Sequence, residues 1–557
     1  MPKVVILGGG VAGLSAAHEL LERGFEVEVY ESKTIAGGKA RSIPVPGSGT
    51  GGRRDLPGEH GFRFFPSFYK HLPDTMKRIP YKNPKTGVFN SNGVYGNLVQ
   101  ATRLGFYQFG QTPLITLAGF PKTLSDWVLI FRDLIFPPVK FSLSDLTFFA
   151  TRIFQILTSC EERRTDDYDK LSWWHSIDAE NRSKTYQDFF ANGLTRSLAA
   201  AQGQLASTKT IGTIFIQLFL DLLRPATTSD LLLNGPTNDV WIEPWVSYLT
   251  DSNLHAKPVK YSLNSPLKAI NCKGQKIYNV TVELEGKPTE VHGDYYLFAV
   301  PVEAMANYIT KDLTDIDPSL ASIIELKQYV RWMNGIQFFL KEDVPMVRGH
   351  IAYVDSPWAV TSISQHQFWA NVDLSKYGDG KVRGIISADV SDWFTPGLNG
   401  KEAHNCTREE IKDDVWKQMK LSVNVNGREI LKDSNLHSWS LDPDIKKAGC
   451  LDPELSNGEP LLVNYVCTWG IRPKANTQVS NMFLASDYVQ TFTDIACMEA
   501  ANEAARRAVN SILSVSSVGK PNCQIWDLHE PSVFKLWHLN DYRRWKKGLP
   551  WNGRIFG

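Results

Sequence analysis

The order of apolar and polar residues near the start of the chain predicts a strand, a helix and a second strand. Residues 4–7 form an uninterrupted apolar run, which is typical of a strand buried in a parallel sheet. A helical pattern follows, and a second strand is predicted over residues 25–30, ending at Glu31. Because strand, helix and strand follow one another in this order, the predicted fold class is α/β with a parallel sheet.

The turn between the first strand and the helix carries three glycines, Gly8, Gly10 and Gly13. Gly8 permits a tight turn, Gly10 lets the backbone approach a pyrophosphate, and Gly13 lets helix and strand pack closely. The helix N-terminus then faces the phosphates. Glu31 can accept hydrogen bonds from a ribose 2′-hydroxyl. The pattern therefore predicts an adenine dinucleotide without a 2′-phosphate, either NAD or FAD.

A second glycine pair, Gly37 and Gly38, stands directly after the second predicted strand. With Lys39 and Arg41 behind it, the pair suits a loop that wraps the same pyrophosphate, to which Arg41 adds charge-assisted hydrogen bonds. A nicotinamide enzyme does not usually need such a loop. The two glycine motifs together resemble the FAD-binding start of the flavin-dependent amine oxidase and carotenoid desaturase superfamily.

The resemblance implies FAD as the cofactor, bound by a Rossmann-like domain of the glutathione-reductase type, with Ser32 among the residues at the nucleotide. It also implies a discontinuous α+β substrate domain. Leu267, in a hairpin predicted over 264–285, matches the position whose backbone holds the adenine edge in the superfamily. A predicted strand over 295–301 resembles the one that closes the nucleotide sheet.

The segment GEHGFRFFP resembles the superfamily stretch that passes the flavin ring. The resemblance places Glu59, His60, Gly61 and Phe62 at the cofactor, and Arg63 at the reacting face. Ionisable groups in a buried cleft are candidates for function. A structural ion pair between Glu59 and Arg63 beneath an aromatic cluster is the alternative, and the sequence leaves both interpretations open.

The second strong signal lies near the C-terminus, where a short apolar strand is followed by Ser486 and Asp487, and a helix begins near residues 496–499. An acid at the end of a strand can accept a ribityl hydroxyl, and a helix N-terminus can stabilise negative charge on a reduced flavin. The arrangement resembles the second flavin motif of plant-type phytoene and zeta-carotene desaturases, although Ser486 stands where these usually have glycine. The resemblance places Ile495 and Met498 at the cofactor.

The predicted domains are discontinuous, because segments typical of the nucleotide domain alternate with segments that are not. The FAD-binding domain is predicted to comprise residues 1–75, 255–308 and 475–515. The substrate domain is predicted to comprise residues 76–254 and 309–474, and an aromatic, basic tail follows over 516–557. We interpret the tail as a strap on the body of the protein rather than as a surface for nucleic acid or lipid headgroups.

Apolar stretches in the middle of the chain indicate a hydrophobic substrate site. Residues 104–121 carry no charge, but glycine and proline interrupt them too often for a membrane-spanning helix. Two short amphipathic segments, 124–136 and 143–157, suit either the surface of a bilayer or a core or tunnel wall, and both hypotheses stay open. Residues 210–223 are apolar on nearly all sides, which predicts a buried helix that lines a hydrophobic cavity.

Charge and cysteine content narrow the class of protein. The 60 basic and 59 acidic residues nearly cancel, so no global field attracts nucleic acid. The 7 cysteines are scattered without a CxxC pair, which predicts reduced thiols in a cytoplasmic protein, with no disulfide and no metal site. The apolar start runs into the glycine motif, so we interpret it as a strand rather than an export signal.

The reaction itself must come from the cofactor, because the sequence contains neither a GxSxG nor an HExxH motif. An oxidised flavin accepts a hydride at N5. The expected function is an FAD-dependent desaturase or dehydrogenase of a hydrophobic, isoprenoid, carotenoid-like or squalene-derived substrate. A quinone or oxygen is the expected electron acceptor, with peripheral membrane contact as one hypothesis. The candidate catalytic residues are Arg63, Trp469, Tyr488 and Asp494.

Three other functions remain open on the sequence alone. An amine oxidase shares both flavin motifs and needs two aromatic side chains around the amine, for which Trp469 and Tyr488 are a candidate pair. A non-redox isomerase or dehydroxylase of polyenes or squalene alcohols would use the flavin only to stabilise charge. A flavin-carrying lipid scaffold would show no turnover. Product mass and flavin reduction distinguish the three.

Overall fold

The structure is a computed structural model that describes residues 2–121, 126, 141–224, 230–369, 371–447 and 454–556. Its strands in chain order are β1 (Lys3–Leu7), β2 (Glu26–Tyr30), β3 (Leu98–Gln100), β4 (Arg103–Tyr107), β5 (Leu114–Leu117), β6 (Leu231–Leu233), β7 (Lys260–Ser262), β8 (Leu267–Lys273), β9 (Lys276–Leu284), β10 (Lys287–Val291), β11 (Tyr295–Phe298), β12 (Val330–Arg331), β13 (Asn334–Leu340), β14 (Ile351–Tyr353), β15 (Thr361–Ser364), β16 (Gly384–Val390), β17 (Leu436–Leu441), β18 (Ile445–Lys447), β19 (Leu455–Asn457), β20 (Leu461–Leu462) and β21 (Met482–Leu484).

The α-helices in chain order are α1 (Val11–Glu22), α2 (His71–Arg78), α3 (Leu143–Thr158), α4 (Glu161–Asp166), α5 (Trp173–Ser176), α6 (Lys184–Tyr186), α7 (Leu194–Ala199), α8 (Thr208–Leu223), α9 (Glu243–Thr250), α10 (Val302–Met305), α11 (Lys311–Ile316), α12 (Ala321–Leu326), α13 (Arg408–Val423), α14 (Met498–Val515) and α15 (Lys535–Trp545). The segment predicted over 124–136 lies, apart from Asp126, outside the described residues.

A five-stranded parallel sheet holds the two ends of the chain together. Its strand order is β21-β11-β1-β2-β7. β1 lies at the centre, where Leu7 pairs with Phe298 of β11 on one side and with Tyr30 of β2 on the other. Because the strands are parallel, the residues that follow β1, β2, β11 and β21 meet at one edge of the sheet, which is where such sheets bind ligands. The α/β prediction from the first thirty residues is confirmed.

Two helices pack together beside this sheet. α1 and α14 contact each other, and Asn502 Nδ2 of α14 donates to Ser15 Oγ of α1 over 2.7 Å. The hairpin predicted over 264–285 is confirmed as β8 and β9, which form an antiparallel sheet with β10. Gly274 adopts a φ of +64° at the turn between β8 and β9, a conformation that a residue with a Cβ atom rarely adopts.

A seven-stranded mixed sheet forms the second layer of the molecule. Its strand order is β17-β13-β16-β15-β14-β4-β5, and every residue of β13 and β16 is buried. Strands that are buried on both faces carry near-continuous apolar sequence, as in Gly384–Val390. A polar residue within such a strand must therefore have a particular function or partner, and β16 contains Asp389.

A helical layer of α3, α5 and α8 packs around stacked aromatic rings. Phe149 of α3 stacks on Phe190 with ring centroids 4.1 Å apart, and Phe215 of α8 stacks on Trp173 at 5.7 Å. The helix predicted over 210–223 is confirmed as α8. It is not buried on all sides as predicted, because the side chain of Phe219 is 48% exposed. Among the described residues no helix has both the length and the apolar character that crossing a membrane requires.

The C-terminal segment lies along this helical layer. Arg163 Nε of α4 donates to Asp541 Oδ2 of α15 over 2.9 Å, and both side chains are buried. Trp551 Nε1 donates to Thr158 Oγ1 over 3.1 Å. The tail is thus fastened to α3 and α4 by the ion pairs Arg163–Asp541 and Arg164–Glu530 and by its aromatic side chains.

Candidate functional site

A cavity of about 840 Å³ lies between the carboxyl edge of the parallel sheet and the seven-stranded sheet. One part is lined by the two glycine loops and by the residues that follow β2, β11 and β21. The other part is lined by α8, β4 and the facing side of the seven-stranded sheet. A cavity with one polar and one apolar compartment suits a cofactor and a hydrophobic substrate that lie next to each other.

Backbone forms the wall of the cofactor compartment at the two glycine loops. Gly8 has a φ of +107°, and a Cβ atom there would lie 2.6 Å from the carbonyl oxygen of Ala299. A Cβ atom on Gly38 would lie 2.9 Å from Cα of Gly10. A Cβ atom on Gly13 would lie 1.9 Å from the carbonyl oxygen of Gly8, so this glycine allows α1 to pack against the β1 turn. The two loops therefore form a cradle that side chains would fill.

The start of α1 faces this cradle with its backbone N–H groups uncapped. Gly10 is the N-cap residue, no side chain caps the helix, and the first turn contains no acidic residue. Val11 and Ala12 line the cavity. Unpaired N–H groups at a helix N-terminus form a site for a phosphate group. The cradle therefore fits the pyrophosphate of a dinucleotide.

Glu31 lies where β2 ends, and its buried carboxylate lines the cavity beside Ser32. Its Oε2 atom accepts a hydrogen bond from the Gly9 N–H over 2.6 Å, and Oε1 accepts one from the Lys33 N–H over 2.8 Å. Ser32 Oγ also donates to Oε1 over 3.2 Å, and since a carboxylate has about four acceptor positions, these three donors leave capacity for a ribose hydroxyl. The predicted ribose contact is consistent with this position and stays a prediction.

The two basic residues after Gly38 have different positions. Lys39 lines the cavity, with Nζ 2.8 Å from Glu303 Oε1, a second lining residue. Arg41 does not line it: its guanidinium is bound by Asp444 Oδ2 at 2.6 Å and by Glu459 Oε2 at 2.7 Å. The predicted contact of Arg41 with the pyrophosphate is therefore corrected, because two carboxylates already bind its charge.

Arg63 lines the cavity but donates to main-chain oxygens, at 2.6 Å to Gly61 and at 2.9 Å to Lys39. It thus ties the second glycine loop to the segment that starts at residue 58. Glu59 lies behind this wall, where Oε1 accepts from Ser42 Oγ over 2.9 Å, and burial raises the pKa of its carboxyl group. The ion-pair alternative is corrected, since the described structure contains no contact ion pair between Glu59 and Arg63.

His60, Gly61 and Phe62 all line the cavity, and their contacts with the cofactor stay predictions. His60 Nδ1 lies 2.6 Å from Asp442 Oδ2 outside the cavity wall. A Cβ atom on Gly61 would lie 2.8 Å from Oδ1 of Asp389. The absence of a side chain at Gly61 therefore allows a carboxylate of the seven-stranded sheet to reach this segment.

The C-terminal motif reaches the same cavity. Ser486 and Asp487 follow β21 and line the cavity, and Ser486 Oγ donates to Asp487 Oδ1 over 3.1 Å. Ile495 and Met498 line it as well, and α14 begins at Met498. The predicted acid and the predicted helix N-terminus thus lie on the wall opposite the glycine loops, where their cofactor contacts stay predictions.

Leu267 and Asp494 do not reach the cavity. The carbonyl oxygen of Leu267 accepts from the Tyr308 hydroxyl over 2.6 Å. Asp494 is 1% exposed and accepts from Arg472 Nη1 at 3.0 Å and Lys209 Nζ at 3.1 Å, as well as from two neutral donors. Asp494 is therefore corrected from a catalytic candidate to a structural acid, because buried cations already occupy its carboxylate.

Trp469 and Tyr488 do not form an aromatic pair in the cavity. Lys209 Nζ lies 3.6 Å from the ring centroid of Trp469, and the tryptophan is not a lining residue. Tyr488 is fully buried outside the lining, and burial raises the pKa of its hydroxyl group. Neither ring is in position to enclose an amine there, so their candidate catalytic role is corrected.

Sequence reasoning missed two polar residues of the apolar compartment, Asp389 and His350. Both line the cavity from the seven-stranded sheet. His350 Nδ1 lies 2.6 Å from Asp230 Oδ2, and its ring centroid is 4.6 Å from that of Phe62. Burial raises the pKa of Asp389 to about 7. The signal in the sequence was an acid inside the apolar run of β16.

Most other residues that line this compartment are apolar, apart from Ser197 and Thr361. Ile214, Phe215, Leu218 and Phe219 of α8 face Phe106 of β4 across it, and all five line the cavity. Phe219 is the partly exposed member, so the compartment reaches the surface of the helical layer. Each cysteine that the structure describes is a free thiol, and its described residues contain no group of three or more potential metal ligands.

Comparison with known proteins agrees with this geometry. Residues 11–513 match the family model of the flavin-containing amine oxidoreductases. The zeta-carotene desaturase of Capsicum annuum is 40% identical over 80 residues, which are 14% of this chain and 12% of that protein. The flavin-dependent L-tryptophan oxidase of Lentzea aerocolonigenes is 37% identical over 127 residues, 22% of this chain and 25% of that protein. The matched stretches thus span a quarter or less of these relatives.

Solved structures share the fold along most of the chain. A putrescine oxidase bound to putrescine superposes with a TM-score of 0.59 at 12% identity, covering 92% of this chain and 99% of the other. An oxidoreductase from Methanosarcina mazei superposes with a TM-score of 0.56 at 14% identity, covering 92% and 100%. At such identities the likeness concerns the fold. The resemblance inferred from the glycine motifs is confirmed: the chain belongs to the flavin-containing amine oxidoreductase family and is an oxidoreductase with FAD as its cofactor.

Proposed function

We propose that this protein is a desaturase or dehydrogenase that acts on a hydrophobic, isoprenoid or carotenoid-like substrate. The observation that carries the proposal is the continuity of the cavity from the glycine cradle into an apolar compartment lined by Phe106, Phe215 and Phe219. FAD, when bound, accepts a hydride from the substrate. A hydrocarbon chain gains about 25 cal/mol for each Å² of apolar surface removed from water, so such a compartment binds it without specific contacts.

The chain's own residues have three tasks in this function. The glycine loops and the N-terminus of α1 hold phosphate groups. The N-terminus of α14, which begins at Met498 on the cavity wall, stabilises negative charge that develops beside it. The aromatic wall of α8 and β4 excludes water and positions the reacting carbon atoms.

Curated relatives support the same substrate class. Besides the zeta-carotene desaturase, a 1-hydroxycarotenoid 3,4-desaturase of Flavobacterium is 45% identical over 47 residues, 8% of this chain and 10% of that protein. Amine oxidation is the second candidate, which the superposition on putrescine oxidase favours. The positions of Trp469 and Tyr488 outside the cavity lining speak against it.

The decisive experiment is anaerobic reduction of the purified holoenzyme. We expect a lipid extract that contains isoprenoids to bleach the flavin absorbance, and mass analysis to show a product that has lost two hydrogen atoms. Bleaching by simple amines, with peroxide release in air, would instead establish an amine oxidase. A product of unchanged mass would establish an isomerase, and a flavin that neither class reduces would leave only the lipid-scaffold hypothesis.

We propose in addition that the helical layer contacts a membrane surface, from which the substrate enters. α3 contacts both α8 and α15. Each of the three helices exposes a large apolar side chain: Leu143 is 80% exposed, Phe219 48% and Leu539 56%. Phe219 also lines the cavity, so the exposed apolar surface continues into the substrate compartment. Exposed apolar side chains on amphipathic helices bind the headgroup and acyl boundary of a bilayer.

Sedimentation with phospholipid vesicles tests this contact. We expect the Leu143→Asp, Leu539→Asp double variant to lose vesicle binding and to keep its FAD. The matched control is Ile324→Asp on α12, because Ile324 is 47% exposed on another helix. Equal vesicle binding of the double variant and the control would refute the proposed membrane surface. The electron acceptor is then identified by measuring flavin reoxidation under two conditions. One contains vesicles with a quinone, and the other contains air.

A further inference from the structure

Two buried polar atoms in the apolar compartment have no hydrogen-bond partner among the described residues. They are Oδ1 of Asp389 and Nε2 of His350, and both side chains line the cavity. Leaving a buried polar atom unpaired is destabilising, and more so for a charged group. In a compartment that binds only hydrocarbons, apolar side chains at these two positions would therefore be more favourable.

The fold directs the Asp389 carboxylate to the segment that starts at residue 58. In the sheet, Asp389 pairs with Gly335 of β13 and Thr361 of β15. The Gly335 N–H donates to the carbonyl oxygen of His60 over 2.7 Å, and a Cβ atom on Gly335 would lie 2.8 Å from that oxygen. Because Gly335 and Gly61 have no side chains, the segment packs closely on the sheet and meets the carboxylate.

His350 is held in a fixed orientation beside the same segment. Its Nδ1 atom bonds Asp230 Oδ2, and its ring packs on the rings of Phe62 and Phe64, with centroids 4.6 Å and 5.4 Å away. A carboxylate partner keeps the proton on Nδ1, so the neutral imidazole presents Nε2 as an acceptor. Asp389 at Gly61 and His350 at Phe62 thus flank adjacent residues of one segment.

The charges around Asp389 restrict what kind of ligand fits. The groups that act on it are Arg63, His60, His350 and Asp442. An ammonium group would meet the guanidinium of Arg63, which donates to main-chain oxygens, and a carboxylate ligand would meet Asp389 and Asp442. A neutral hydroxyl group is repelled neither by the guanidinium nor by the carboxylates. It can donate to one of the two atoms and accept a hydrogen bond from the other when that atom is protonated.

We propose that the substrate is an alcohol: a hydrophobic molecule whose hydroxyl group is bound by Asp389 and His350, while its hydrocarbon part fills the compartment lined by α8. This inference rests on the proposed function and names its substrate class. The hydroxyl group sets the position of the chain relative to the segment of residues 60–63. Asp389 and His350 are then contact residues for the substrate.

The raised pKa of Asp389 agrees with this role. Because burial raises it to about 7, the carboxyl group is present near neutral pH in both protonation states. The protonated form donates to a hydroxyl oxygen and the ionised form accepts from the hydroxyl hydrogen. The inference rests on the positions of the two unpaired atoms. The raised pKa of Asp389 extends the pH range in which the hydroxyl group can form a hydrogen bond with it.

The test compares two probes on the holoenzyme: the isoprenoid alcohol geranylgeraniol and the corresponding hydrocarbon without the hydroxyl group. Binding is followed by the perturbation of the flavin absorbance. We expect the alcohol to bind about tenfold or more tightly than the hydrocarbon, because a site built for a hydroxyl group rejects the analogue that lacks it. In Asp389→Leu we expect this preference to fall to about unity, with FAD content unchanged.

Ser391→Ala is the matched control, because Ser391 is also buried near the end of β16 with an unpaired hydroxyl group but does not line the cavity. Its preference should equal that of the wild type. If the wild type binds both probes equally, the inference is overturned while the proposed function stands, and this result needs no folded variant. If neither probe perturbs the flavin and amines do, the proposed function fails together with the inference.

Discussion

The two compartments of the cavity are built in different ways. The cofactor compartment is formed by backbone: Gly8, Gly10 and Gly38 approach so closely that a Cβ atom on Gly8 or Gly38 would lie under 3.0 Å from a neighbouring atom. The substrate compartment is formed by side chains from α8, β4, β14 and β16, which are far apart in the sequence. A backbone cradle tolerates almost no substitution, whereas a side-chain wall can change its chemistry one residue at a time. The difference suits a family in which one cofactor serves many substrates.

The sharpest test of this difference is a side chain placed directly behind the cradle, between α1 and the turn that follows β1. Gly13→Val should abolish FAD binding, because its Cβ atom would lie 1.9 Å from the carbonyl oxygen of Gly8 and would push α1 away from β1. We expect the ratio of flavin to protein after purification to fall about tenfold or more, since such overpacking costs about 1–3 kcal/mol or more. Gly470→Ala is the control, because no atom lies within 4 Å of a Cβ atom built there. Normal flavin content in Gly13→Val would contradict the backbone cradle.

The next largest effect is expected at Asp494, outside both compartments. Asp494→Asn leaves the buried cations Lys209 and Arg472 without a carboxylate, which costs about 3–5 kcal/mol when a buried pair is broken. We expect a lower urea midpoint and an unchanged turnover rate per bound flavin. Asp433→Asn is the control, because the Asp433 side chain is 73% exposed, so its pair with Lys420 contributes at most about 1 kcal/mol, and an asparagine oxygen can still accept from Trp416 Nε1. Loss of turnover in Asp494→Asn without loss of stability would show that Asp494 takes part in catalysis.

Asp389 should make the stability depend on pH in the opposite sense to an ordinary salt-bridged acid. Its pKa is about 7 in the folded protein and about 3.9 when unfolded, so the folded state binds more protons between these values. The free energy of unfolding should therefore fall as the pH rises from about 4 to 7. Asp389→Leu should not show this loss. Between pH 4 and pH 8, the free energy of unfolding of the variant should therefore rise by about 2–4 kcal/mol relative to that of the wild type. Parallel pH profiles of variant and wild type in thermal unfolding would contradict the burial of an unpaired carboxyl group.

The smallest effect is expected at the mouth of the substrate compartment. Phe219→Ser removes a half-exposed ring from the wall, so we expect the KM for a hydrophobic substrate to rise about fivefold, equivalent to about 1 kcal/mol of lost apolar contact. Flavin content and kcat should stay the same, because Phe219 lies on α8 and the glycine cradle is formed by other elements. Phe394→Ser, which is 44% exposed outside the lining, is the control. A fall in flavin content in Phe219→Ser would show that the two compartments are not independent.

The residues of the cofactor compartment, which come from the N-terminal and C-terminal parts of the chain, could be predicted from the sequence. Strand, glycine turn, helix and Glu31 form one continuous segment, so local spacing was sufficient to predict the cofactor compartment. The short strand, Asp487 and the start of α14 were predicted for the same reason, and Asp487 and Met498 line the same cavity. Their cofactor contacts stay predictions.

Residues whose function depends on distant partners were the ones that sequence reasoning misplaced. Arg41 is adjacent to the second glycine loop in sequence, but Asp444 and Glu459 bind its guanidinium. Asp494 is adjacent to the start of α14, but Lys209 and Arg472 bind its carboxylate. A charge forms its pair with whichever opposite charge the fold brings close, and the spacing along the chain does not contain that information.

By itself, the sequence determined the fold class, the family and the cofactor, because a dinucleotide cradle requires glycines at set intervals on one strand, turn and helix. The tertiary structure decided which ionisable groups face the substrate. Asp389 lies on β16 and His350 directly precedes β14, and they reach one segment only because Gly61 and Gly335 let that segment pack against the seven-stranded sheet. The physical reason is that close approach of backbone is encoded locally, whereas burial of a charge depends on everything that surrounds it.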